Sequence, residues 1–87
     1  MSTEPATRID VKVTELDCSG LLCPLPVYKA ALALGKMQEG ERLRLLTTDP
    51  GALEDIPAMT RQRGDRLVSA GDEDGVQVFT IEKGPDR

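Results

Sequence analysis

Ile9, Val11 and Val13 alternate with Asp10, Lys12 and Thr14, the period-two signature of a strand with one buried face, and Leu16 carries the apolar character toward a loop over 17–22. The first strand is predicted over 9–17. Pro24 stands where a helix would open, and Val27, Ala30, Ala31 and Leu34 recur at the spacing of one helical face until Gly35 and Gly40 weaken it. This predicts a helix over 24–38. A leucine-rich strand is predicted over 41–48, followed by Asp49 and Pro50 as cap and first residue of a second helix that buries Ala52, Ile56 and Met59. Pro57 lacks an amide proton and crowds the preceding turn, so a kink or two short helical pieces are expected before Gly64. Strands over 67–70 and 76–81 flank Asp74-Gly75, a strong hairpin signal.

The predicted order is βαβαββ, an α/β fold. So short a chain can bury both helices only against a single sheet, which makes a two-layer sandwich with a four-stranded mixed sheet. Right-handed crossovers place both helices on one face and leave the other to polar side chains or a partner. One domain is expected over 9–84, with a flexible N-terminus at 1–8 and a C-terminal tail at 85–87.

Composition narrows the function classes. One Tyr, one Phe and no Trp require an aliphatic core, and a net charge of −4 disfavours unspecific binding to nucleic acid and anionic membranes. The apolar run around Ala30 to Leu34 is far below the roughly 20 residues of a membrane span. The opening residues lack the apolar stretch of a secretory signal, so a cytoplasmic location is expected. In that reducing setting Cys18 and Cys23 are expected as free or reactive thiols, not as a structural disulfide. With no histidine, a four-ligand zinc site would need carboxylates, an uncommon set. Neither a metal nor another cofactor is expected.

The candidate chemistry centres on Leu22-Cys23-Pro24-Leu25-Pro26. Cys23 falls at the predicted N-cap, where the helix dipole and unpaired amides favour a thiolate. Pro24 and Pro26 remove two of those amides and stiffen the turn, leaving Leu25 as the main nearby donor. The expectation is a rigid, projecting thiol with moderate acidification. The plainer alternative makes Cys23 a small apolar residue closing a tight loop and Pro24 a routine helix opener.

The stretch from Leu16-Asp17-Cys18 through Gly20 to Cys23-Pro24-Leu25-Pro26 resembles the signature of the TusA/SirA-like sulfur-carrier family. Asp49-Pro50-Gly51-Ala52, Asp55-Ile56-Pro57 and the closing hairpin are similar to it as well. The resemblance covers about 9–84 and implies the same βαβαββ fold. It also implies that Cys23 carries sulfur as a persulfide between proteins: a donor such as a cysteine desulfurase or a rhodanese, and an acceptor of the sulfurtransferase type. Asp17, Gly20, Pro24 and Pro26 would support the motif. The chain departs from the transfer-RNA-modifying members at Leu22 and Leu25, where those tend to carry Arg and an acidic residue. Leu22 and Leu25 are therefore expected to form an apolar docking patch, which leaves room for a role in sulfur oxidation or cofactor maturation. A carrier of this kind needs no turnover of its own.

Cys18, five residues before Cys23, is a candidate resolving thiol, with a buried strand end as the alternative. Asp17 is expected to accept hydrogen bonds from amides of the turn and Asp49 to cap a helix. The arginines at 42, 44, 61 and 63 read as a solvated face. A second class of function stays open: a redox-regulatory or protein-binding module in which the Cys-Pro-x-Pro turn is structural.

Overall fold

The computed structural model describes residues 12–85. Six elements follow in order: β1 (Val13–Cys18), α1 (Leu25–Gly35), β2 (Arg42–Thr47), α2 (Ala52–Arg63), β3 (Arg66–Glu73) and β4 (Val76–Glu82). The sheet order is β1-β2-β4-β3, with β1 parallel to β2 and β4 antiparallel to both of its neighbours. Each helix crosses between parallel strands in the same direction along the sheet, so both lie on one face as predicted. No helix among the described residues is long and apolar enough to cross a membrane.

Alternation along β2 shows how the layers form. Leu43, Leu45 and Thr47 are fully buried beneath the helices, while Arg42, Arg44 and Leu46 point to the open face. Ala30 and Leu34 from α1, Ala52, Ile56 and Met59 from α2, and Phe79 and Ile81 from β4 complete the core. Each fully buried Leu, Ile or Phe contributes roughly 1.5–3 kcal/mol relative to exposure. Charge pairs cover part of the open face, with Arg44 reaching Glu15 and Glu73, and Arg66 reaching Glu82.

Several boundaries differ from the expected ones. Ile9 and Val11 lie outside the described residues, as do the N-terminus 1–8 and the last two positions of the tail. The first helix ends at Gly35 instead of 38, because the amides of Lys36 and Met37 turn back to Ala33 and Leu34. Pro57 neither ends nor divides α2, which is one element from Ala52 to Arg63. Ile56, Met59 and Thr60, buried on either side of the proline, hold the helix to the sheet despite the missing hydrogen bond. The third strand runs to Glu73 rather than 70. Asp74 and Gly75, at φ 53 and 86, form a two-residue turn that sets Glu73 opposite Val76, so the ladder continues through polar residues that carry no hydrophobic signal. A register shift between Leu67 and Ser69 accommodates the length.

Candidate functional site

The parallel pairing of β1 and β2 sets Cys18 opposite Thr47, so the loops that follow the two strands leave the sheet side by side. This is the sheet edge where open α/β folds place their sites. Asp17 Oδ1 accepts from the Ser19 amide at 2.9 Å and closes the start of the first loop. Gly20 turns the chain at φ 84, a left-handed conformation that glycine adopts without steric cost, and its amide donates to Thr48 Oγ1 at 2.8 Å. The Cys23 amide donates to Asp49 Oδ2 at 2.7 Å. The two loops are thus bonded to each other on both sides of Leu21 and Leu22.

Cys23 is half-buried, and its Sγ donates to Asp55 Oδ2, at 3.2 Å, in the first turn of α2. A Cβ placed on Gly51 would lie 3.2 Å from the same sulfur and 3.3 Å from Asp49 Oδ2. Thiol and both carboxylates therefore share one small space. The Cys23–Pro24 peptide bond is cis.

Two sequence expectations change here. The N-cap of α1 is Pro24, not Cys23, so the cysteine stands one residue outside the helix. The amides that were to stabilise a thiolate are engaged or missing: Leu25 N–H donates to Leu22, Cys23 N–H to Asp49, and the prolines have none. The Asp49 carboxylate, burial and the Asp55 carboxylate together push the Cys23 thiol up to about 12. The expected moderate acidification gives way to suppression, because negative charge outweighs the helix end. Asp49 is likewise not the cap of α2, a position taken by Gly51. Its carboxylate is held below its usual range, chiefly by its hydrogen bonds with Cys23.

Cys18 is fully buried, packed in the core from the helix-facing side of β1, and burial pushes its thiol up. Pro26 is buried at the start of α1, while Pro24 is exposed. Leu22 is 71% and Leu25 46% exposed. Tyr28 and Leu32 are exposed as well, and the spacing 25, 28, 32 puts them on one stripe of α1 running away from Cys23.

A model of the family described as Sulfurtransferase TusA matches residues 14–83. This chain belongs to the TusA family. It is 42% identical over 69 residues to the sulfur carrier protein TusA of Allochromatium vinosum, covering 79% of this chain and 91% of that one. With the TusA of Pseudomonas syringae pv. syringae it shares 33% identity over 84 residues, covering 97% and 99% respectively. The crystal structure of a SirA-like protein from Desulfitobacterium hafniense superposes with a TM-score of 0.74 at 26% identity, over 83% of this chain and 97% of that one. The TusA resemblance read from the Cys-Pro-x-Pro motif and its companion motifs is thereby established, together with the fold.

Within this TusA-family chain, sequence reasoning missed the joint action of Asp49 and Asp55 on the thiol, the close approach of Gly51, and the extension of the apolar stripe through Tyr28 and Leu32. Both carboxylates lie inside motifs that carry the family resemblance. The usable signal was topological, since loops following adjacent parallel strands converge at one sheet edge.

Proposed function

We propose that the chain accepts sulfur at Cys23 as a persulfide and delivers it to an acceptor protein. The observation that carries the reading is a half-buried thiol at the converging loop ends of a TusA-family fold, in a Cys-Pro-Leu-Pro turn. In transfer from a donor persulfide R–S–SH, the Cys23 sulfur bonds to the outer sulfur and the donor S–S bond breaks. Its electron pair leaves on the donor thiolate, which takes the proton given up by Cys23. Cys23–SH and R–S–SH thus become Cys23–S–SH and R–SH with no external oxidant. Delivery repeats the step, with the acceptor thiol attacking the outer sulfur.

The donor is a persulfide-forming protein such as a cysteine desulfurase or a rhodanese, and the acceptor a sulfurtransferase-type protein, both in the cytoplasm. Leu22 and Leu25 beside the thiol support docking through apolar contact. Burial of Cys18 supports a packing role for it over a resolving one.

Intact and peptide mass spectrometry after incubation with polysulfide, thiosulfate, or cysteine plus a cysteine desulfurase tests the proposal. The expected result is one reducible extra sulfur on Cys23, lost in Cys23→Ser and retained in Cys18→Ser. No added sulfur from any donor would overturn it and favour the redox-regulatory or protein-binding alternative.

A further inference from the structure

The two carboxylates at Cys23 come from different places and converge on one residue. Asp49, in the loop after β2, accepts the cysteine's own amide at 2.7 Å. Asp55, on the first turn of α2, accepts from its sulfur at 3.2 Å. Neither aspartate takes part in the ion pairs formed by Arg44, Arg63 and Arg66. Gly51 leaves the gap in which Sγ and Asp49 meet, and a Cβ there would crowd both.

We propose that Asp49 and Asp55 are positioning residues for Cys23, holding the sulfur of the unloaded protein as a fixed, protonated thiol that reacts slowly with free electrophiles. Asp49 fixes the main chain and also bears directly on the thiol, and Asp55 accepts from the S–H. The charged groups acting on the thiol are Asp49 from the β2–α2 loop and Asp55 from α2, and their effect has the same sign as burial. Nucleophilic attack needs the thiolate, so its suppression slows oxidation and reaction with stray electrophiles alike.

The meaning for sulfur transport rests on the function proposed above, but the hold on the thiol does not. Once Sγ is bonded to a second sulfur it has no proton to give Asp55. A negatively charged outer sulfur is then repelled by both carboxylates and driven toward solvent, where an acceptor reaches it. The same pair restrains the empty protein and presents the loaded one.

The test is the pH profile of iodoacetamide alkylation, read on the Cys23 peptide by mass spectrometry. It compares the unmodified protein with Asp49→Asn, Asp55→Asn, Asp55→Glu and Glu54→Gln. Asparagine keeps an acceptor and removes the charge. Each Asn variant is expected to lower the midpoint by about one unit or more, a tenfold rise in thiolate fraction per unit, and to alkylate at least about threefold faster near neutral pH because nucleophilicity falls partly in step. Asp55→Glu should restore the slow reaction, and Glu54→Gln, an exposed neighbour, should leave the profile unchanged. Unchanged midpoints in both Asn variants, with thermal unfolding showing them folded, would overturn the proposal. So would an equal shift in Glu54→Gln, which would mark a general field effect. On polysulfide-treated protein the Asn variants should accelerate alkylation of the outer sulfur less than that of the bare thiol, and equal acceleration would overturn the state-dependent part. A protein that never loads sulfur but shows the expected profiles would sink the carrier reading and leave the positioning role standing.

Discussion

The two ends of the sheet use carboxylates in opposite ways. At the end away from Cys23, Asp65 has a side chain only 2% exposed, pairs with Arg63 Nε at 2.7 Å and accepts the Gly84 amide at 2.9 Å. Gly64 closes α2 at φ 84, and the amides of Gly64 and Asp65 both return to Thr60. There a carboxylate with a cation and an amide staples helix end to strand end. At the Cys23 end, Asp49 and Asp55 meet an amide and a thiol instead, and the result is a perturbed sulfur. The difference lies in the third partner: a guanidinium balances the charge of Asp65, while a thiol that must stay neutral absorbs the field of the other two.

Substitutions at the two ends should therefore separate stability from reactivity. Asp65→Ala removes one half of a largely buried pair and the acceptor for Gly84, and should cost about 3 kcal/mol by chemical denaturation while leaving Cys23 alkylation unchanged in the folded protein. A loss no larger than that of an exposed substitution would break the comparison. Gly84→Ala comes next. A Cβ there would lie 2.0 Å from the Gly64 carbonyl oxygen, a clash with backbone, and a loss of about 2 kcal/mol is expected.

At the Cys23 end the expected effects are on reactivity and transfer. Leu25→Glu places charge on the exposed stripe beside the thiol and should weaken protein-dependent sulfur transfer about tenfold, about 1.4 kcal/mol of docking, with loading by polysulfide unaffected. An unchanged transfer rate would remove Leu25 from the docking surface. A further effect is on the pH dependence of stability. A thiol raised in the folded protein to about 12 from 9.0 stays protonated where its unfolded counterpart ionises. Its contribution is whole below about pH 9 and is lost as pH rises toward 12. Cys18 acts with the same sign, so the share of Cys23 is the part of the alkaline loss that disappears in Cys23→Ser.

Much of this molecule is legible one residue at a time. The alternation around Leu43 and Leu45, the helical spacing of Ala30 and Leu34, and Asp74-Gly75 between two apolar runs specify element types and the two-layer plan, because local periodicity and turn chemistry act within a few residues. The Cys-Pro-Leu-Pro turn with its companion motifs was sufficient for the family. Element ends were less legible where hydrogen bonding overrode pattern: the turn fixes the ladder of β3 through Gly71 and Glu73, and core burial carries α2 past Pro57.

The state of the cysteine was decided elsewhere. Read alone, Leu22 to Pro26 holds a thiol at a helix start with no charge beside it. Asp49 and Asp55 lie 26 and 32 residues further along the chain and reach it only because β1 and β2 pair in parallel, delivering their loops to one edge. Electrostatic energy depends on distance through space, so the sequence places a cysteine in the motif while only the folded arrangement sets the carboxylates around it.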